Sequence, residues 1–187
     1  MNLPLVDRLG LEGILLIVPT RHSDARGFFS ETYNRAAFRE IGVTSDFIQD
    51  NHSLSRAPGT VRGLHFQIAP FAQAKLVRVL HGAVCDVAVD IRRSSPTYGR
   101  SVTATLSAEN GAQLFIPAGF AHGFCTLEPD TEVFYKVDAP YSREHERGLR
   151  WDDAALGIEW PVPESGAVVL ERDRSYPALE ALPAFFD

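Results

Sequence analysis

The sequence predicts an all-β fold, a sandwich or a barrel, with few and short helices. Three observations point there. Short segments alternate apolar and polar residues at the period of two that a half-buried strand requires. Turns rich in Gly and Pro separate them, as in SSPTYG from Ser94 to Gly99. Strands do not alternate with long helical patterns, and no glycine-rich phosphate loop occurs, so a parallel βαβ architecture has no support.

Taken in order, Gly13–Pro19 (GILLIVP) is a short apolar strand. Asp24–Tyr33 (DARGFFSETY) carries a turn signal and then alternates, with Phe29, Glu31 and Tyr33 on one face. Asn34–Ile41 reads as a short helix: Asn34 is a good N-cap, Gly42 suits the C′ position, and Phe38 and Ile41 would anchor the buried side. Ala83–Ile91 alternates, with Ala83, Cys85, Val87, Val89 and Ile91 opposite Val84, Asp86, Ala88 and Asp90. Ser101–Leu106 alternates again. Gln113–Pro117 is a strand that stops at proline. Thr131–Val137 places Thr131, Val133, Tyr135 and Val137 on one face. From about Asp138 the pattern is less regular, with a short helix expected around Ala178–Leu182. There is no internal repeat or linker, so one domain over residues 1–187 is the economical reading.

Composition narrows the function classes. The chain has 187 residues, 45% hydrophobic and 22% charged, which is enough for a substantial core. A net charge of −6 argues against a nucleic-acid surface. No apolar run approaches a membrane span, and the N-terminus lacks a secretory pattern, so a cytoplasmic protein is expected. Cys85 and Cys125 form no zinc or redox motif and are expected as reduced, buried thiols.

The stretch Gly59–Leu80 (GTVRGLHFQIAPFAQAKLVRVL) concentrates the chemistry. On strands, His65 shares a face with Val61, Gly63 and Gln67, and Lys75 shares one with Val77 and Val79. If both segments line one barrel, His65 and Lys75 point into the same apolar cavity. A base and a cation there are the minimum equipment for removing a proton beside a carbonyl. Strict alternation points Arg62 away from His65. It reaches the same cavity only if Gly63 marks a bulge, or else it serves a neighbouring subunit.

Several further stretches, in order, carry a family likeness. They are DARGFFSE at Asp24, QDNHSLS at Gln49, VRGLHFQ at Val61, QAKLVRV at Gln73 and DVAVDIRRSSPTYG at Asp86. LSAENGAQLFIPAGFAHGF at Leu106, YKVDAPYS at Tyr135, LRWDDAALGIEWP at Leu149 and LERD at Leu170 complete the set. Across roughly residues 13–177 the chain resembles the dTDP-4-dehydrorhamnose 3,5-epimerases of the cupin-type jelly-roll superfamily. The resemblance implies a double-stranded β-helix with short peripheral helices, and a homodimer with exchanged N-terminal strands. It implies that His65 takes the proton, Asp173 partners His65, Lys75 stabilises the enolate and Tyr135 returns a proton on the opposite side. It assigns substrate contacts to Arg26, Glu31, Gln49, Asn51, Arg62, His122, Glu146 and Arg172. Tyr141 is a neighbouring rival to Tyr135 and a further substrate contact.

The implied substrate is a dTDP-linked 4-keto-6-deoxyhexose. Its C3 and C5 protons flank the ketone, so the substrate is its own electron sink and no cofactor is expected. A metal-dependent cupin would need clustered His and carboxylate ligands, and no His-x-His pair occurs. A monoepimerase for another deoxysugar and a non-catalytic sugar-nucleotide binder are the alternatives.

Overall fold

The structure, a computed structural model, describes residues 3–163 and 166–187. Strands β1 (Leu5–Asp7), β2 (Leu15–Val18), β3 (His22–Asp24) and β4 (Gly27–Phe29) precede helix α1 (Arg35–Glu40). Then come β5 (Gln49–Ser55), β6 (Thr60–Gln67), β7 (Lys75–His81), β8 (Ala83–Asp90) and β9 (Ser101–Ser107). β10 (Gln113–Ile116), β11 (Phe120–Thr126), β12 (Thr131–Val137), β13 (Glu146–Gly148), β14 (Val168–Val169) and α2 (Glu171–Arg174) complete the order.

Two antiparallel sheets face each other. One runs β1-β2-β10-β7-β12-β5 and the other β13-β6-β11-β8-β9, with β14 added parallel to β6. This is the jelly-roll architecture that the alternating strands and the resemblance implied. β3 and β4 form a separate hairpin. Between the sheets, Val77 of β7, Leu114 of β10 and Val133 of β12 pack against Val84 and Ala88 of β8 and Phe124 of β11.

Each sheet is also covered outside. Leu15, Ile17, Leu76 and Phe115 lie under Phe38 of α1. Leu64, Phe66, Val87 and Val89 lie under Leu149, Leu156 and Leu182 of the C-terminal chain. This explains β8, whose two faces both carry apolar residues. The Val84–Ala88 face is the interior one, and the Cys85–Ile91 face supports the C-terminal chain. Truncating a side chain such as Phe38 in these layers costs about 3–5 kcal/mol.

The helix at Asn34 forms as expected. Asn34 Oδ1 accepts from the Ala36 and Ala37 amides at 3.0 and 3.3 Å. Gly42 takes φ +102°, which lets the Val43 amide reach the Phe38 carbonyl at 2.9 Å and close the helix. The turn after β8 is built on Asp90. That buried carboxylate accepts from Arg92 Nε and Nη2, from Ser95 and Thr97 hydroxyls, and from the Arg92 amide.

Three expectations need correction. The alternation expected through Tyr33 stops at Phe29, because the hairpin turns outward and leaves Phe28 and Phe29 exposed. The helix expected at Ala178–Leu182 is a single 3₁₀ turn, Leu179–Ala181, and the α-helical turn lies earlier, at α2. Of the two free cysteines, Cys125 is buried but Cys85 is only partly so. No helix among the described residues is long and apolar enough to cross a membrane.

Candidate active site

β6 and β7 lie in different sheets, so their inward side chains meet across the interior. His65 projects inward from β6 while its neighbours Leu64 and Phe66 join the outer layer. Its Nε2 and Asp173 Oδ1 are 2.8 Å apart. Asp173 comes from α2, the short turn hidden in the irregular C-terminal region, and its other oxygen accepts from the Gly63 amide at 3.2 Å. Burial works against the Asp173 charge. The His65 hydrogen bond, the Gly63 amide and Arg172 outweigh it and hold the carboxyl below its ordinary value. Donation of Nε2–H to this carboxylate leaves Nδ1 as the lone-pair nitrogen. The Tyr176 ring stands edge-on to the imidazole at 5.8 Å.

Gly63 resolves the position of Arg62. His122 pairs with His65, but Phe124 pairs with Arg62, so β6 uses one residue more than β11 over this stretch. Gly63 has φ +124°, and a Cβ there would lie 2.6 Å from Gly123 Cα and 2.7 Å from the His122 carbonyl. Only glycine fits this irregularity. It turns Arg62 to the same side as His65, as the bulge alternative required. Arg62 is then held by the Ser55 hydroxyl and the Leu54 carbonyl, both at 3.1 Å.

Lys75 enters from β7, and its Nζ donates to the His65 carbonyl at 3.1 Å. Burial pushes its pKa down to about 8, against the opposing charges of Asp86 and Glu146. Tyr135 comes from β12, beside β7. Burial raises its pKa, partly countered by Arg62, so the phenol keeps its proton. Tyr141 is mostly exposed, and its hydroxyl donates to Glu146 Oε2 at 3.0 Å. Arg172 donates to the same oxygen at 2.9 Å.

These groups line two adjoining lobes of about 120 and 210 Å³, which share His65, Lys75, Tyr135 and Glu146. Gln49, Asn51 and Tyr141 line the smaller; Arg62, His122, Arg172 and Asp173 line the larger. Gln49 accepts from the Tyr141 amide at 3.2 Å and donates to Asn51 at 2.9 Å. Eleven of the thirteen candidate residues thus border one cavity. Arg26 and Glu31 do not. Arg26 pairs with Asp24 on the hairpin, its side chain 89% exposed. Glu31 borders a separate pocket of about 260 Å³ with His22, Phe29 and Phe38.

Sequence reasoning missed Asp86, Gln67 and Gln73. Gln67 donates to the Phe71 and Pro140 carbonyls, and Gln73 to the Ala139 carbonyl, so both tie down the chain leading to Tyr141. Asp86 is wholly buried and binds His122. The sequence carries a partial signal, two acids, Asp86 and Asp90, on one face of a strand otherwise built of apolar residues. Among the described residues, no three His, Cys, Asp or Glu side chains are grouped to hold a metal ion.

The family model described as dTDP-4-dehydrorhamnose 3,5-epimerase matches residues 8–181. The chain belongs to that family. A relative of that name from Sinorhizobium fredii is 56% identical over 178 residues, 95% of this chain and 91% of its own. A Bacillus anthracis structure of that name, with TDP and PPi bound, has a TM-score of 0.90 at 46% identity. It covers 94% of this chain and 99% of its own. A Legionella pneumophila dTDP-6-deoxy-D-glucose-3,5-epimerase, in complex with dTDP-4-keto-L-rhamnose, has a TM-score of 0.92 at 39% identity. It covers 97% of this chain and 95% of its own. The family is one of carbohydrate epimerases, and its solved members share this fold.

Proposed function

We propose that this chain inverts C3 and C5 of dTDP-4-keto-6-deoxy-D-glucose, supplying the L-configured ketosugar for dTDP-L-rhamnose synthesis. The observation that carries the reading is the His65–Asp173 pair facing Lys75 and Tyr135 across one cavity.

His65 Nδ1 takes a proton from the carbon beside the ketone. The C–H electron pair moves into the ring and the C4 oxygen becomes the enolate oxygen. Asp173 holds the imidazole and supports its positive charge. The Lys75 ammonium supplies fixed charge to the enolate oxygen. Tyr135 O–H then delivers a proton to the carbon from the other sheet's side, and the C4 carbonyl re-forms. The resulting phenolate and imidazolium exchange their protons with water before the second carbon reacts. The ketone serves as the electron sink, so no cofactor enters.

Arg62 and Arg172 offer bidentate donors to the diphosphate. A homodimer with exchanged N-terminal strands would bring the partner copy's Arg26 and Glu31 to this cavity, which accounts for their exposure in one copy. The two free thiols suit a reducing compartment, the cytoplasm.

The test is incubation with dTDP-4-keto-6-deoxyglucose in deuterated water, followed by NMR at C3 and C5. Deuterium at both carbons with inverted configuration supports the proposal. Deuterium at one carbon selects a monoepimerase, and none selects a binding module.

A further inference from the structure

Two carboxylates on the inward face of β8 look alike in sequence and are treated very differently by the fold. Asp90 is compensated by a guanidinium, two hydroxyls and an amide. Asp86 is equally buried, 0% exposed, and has one donor among the described residues. His122 Nε2 lies 3.0 and 3.1 Å from its two oxygens. His122 is itself only 6% exposed and borders the larger lobe of the cavity. A buried carboxylate with a single donor is poorly compensated, and its field reaches far in a dry interior. The ammonium of Lys75 is in the mirror situation. Its hydrogen-bond partner among the described residues is a neutral carbonyl, that of His65.

We propose that Asp86 is a positioning residue for the enolate-stabilising side of the site. It fixes His122 through Nε2–H and supplies the buried negative charge that partners Lys75. This rests on the epimerase reading above. The other charged and titratable groups around Lys75 are His65 and Arg62 from β6, His122 from β11, Tyr135 from β12, Tyr141 after it, Glu146 from β13, and Arg172 and Asp173 from α2. Asp173 is engaged by His65, and Glu146 by Tyr141 and Arg172. Glu146 also favours the Lys75 ammonium, but less than Asp86, whose one donor among the described residues is the His122 ring that shares the larger lobe with Lys75. Burial drives the Lys75 pKa down to about 8, and Asp86 is the largest influence opposing that fall. Burial likewise lowers the His122 pKa against Asp86, and Lys75 and His65 add to the lowering. A neutral His122 that gives Nε2–H to Asp86 keeps its Nδ1 lone pair for a donor in the cavity, such as a sugar hydroxyl.

Removing the Asp86 charge lowers the Lys75 pKa, so the ammonium is lost at a lower pH. The test is Asp86→Asn, which keeps the shape and an acceptor for His122. The alkaline limb of kcat should move down by about 1–3 pH units. KM should change less than about threefold, because an interaction made with the reacting atoms is lost rather than one made uniformly. Lysine side-chain NMR reads the same event without turnover. The chain has two lysines, and Lys136→Arg identifies the signal of Lys75. Its titration, near 8 in the unmodified protein, should fall in step with the kcat limb. An unmoved titration and limb, or a rise in KM alone, overturns the proposal.

If Asp86→Asn does not fold, nitrogen-15 NMR of the unmodified protein decides. His122, identified with His122→Gln, should be the Nε2–H tautomer. An Nδ1–H tautomer, or a Lys75 that titrates well below about 8 as an unpartnered buried ammonium would, overturns the proposal. Correct titrations without turnover of the ketosugar would uphold the charge pairing and sink the epimerase reading instead.

Discussion

In the cavity between the sheets, His65, Lys75, Tyr135 and Asp173 meet within one chain. On the β3–β4 hairpin and just past its end, Arg26 and Glu31 meet none of them. Both regions carry motifs of equal clarity in the sequence. The cavity groups are each braced by a partner: a carboxylate for His65, a carbonyl for Lys75, a hydroxyl and a carbonyl for Arg62. The hairpin groups stand beside Phe28 and Phe29, which are 59% and 71% exposed. Reacting groups must be held before substrate arrives, whereas exposed aromatics beside an exposed cation suit a surface that something else covers. On the proposal above, that something is a second copy of the chain.

The largest effect belongs to the cavity. His65→Ala should lower kcat by about 10²–10⁴-fold while TDP binding, followed by calorimetry, stays near that of the unmodified protein. Turnover near the unmodified level would remove His65 as the base. Next comes the hairpin. Arg26→Ala should raise KM by about 10–100-fold, the worth of a charged hydrogen bond, and leave the pH profile of kcat in place. Co-expressing Arg26→Ala with His65→Ala sharpens the contrast between the regions. If Arg26 serves the partner's cavity, the mixed dimer owns one complete site and recovers activity. With substrate held well below KM, where both parents are impaired, a proven mixed dimer that gains nothing would place Arg26 in its own chain's site.

Most of the cavity was legible in the sequence, and what was not has physical causes. Alternation placed His65, Lys75 and Tyr135 inward because each sits on a strand with one interior face. Arg62 defeated alternation because one extra residue at Gly63 shifts the pairing. β11 (FAHGFCT) carries no alternation because both of its faces are buried. β5 (QDNHSLS) carries no apolar alternation because its partly buried face is polar and lines the cavity. Asp173 came from family likeness alone. A four-residue helix has too few residues for a periodic signal. Asp86 and Asp90 share one strand face and were indistinguishable until their partners could be seen.

Smaller effects probe the scaffold outside both regions. Asp90 has its pKa held down to about 2; burial opposes its charge, and Arg92, Ser95 and Thr97 overcome that opposition. Its folded value is depressed, so its stabilisation is present above the ordinary 3.8 and is lost as pH falls through about 2. Asp90→Asn should cost roughly 2 kcal/mol in urea unfolding at pH 7, with the difference from the parent shrinking between those two values. kcat per folded molecule should not change. An equal cost at pH 7 and pH 2 would remove the ionised Asp90 as the source. The smallest expected effect is none at all: exhaustive chelation should leave turnover intact. Activity lost to a chelator and restored by one divalent ion would overturn the cofactor-free mechanism.

In the proposed mechanism, base and donor stand on different sheets and act separately. Tyr135→Phe tests it most directly, because it keeps the ring and its packing and removes only the hydroxyl. The measurement is proton NMR of the ketosugar in deuterated water, reading exchange and configuration at C3 and C5 together. The account predicts that exchange continues from the His65 side with configuration retained, and outruns epimerisation. Epimerisation at the parent rate would contradict the donor role of Tyr135. Loss of exchange and epimerisation together, in a folded variant that still binds TDP, would contradict the separation of the two roles.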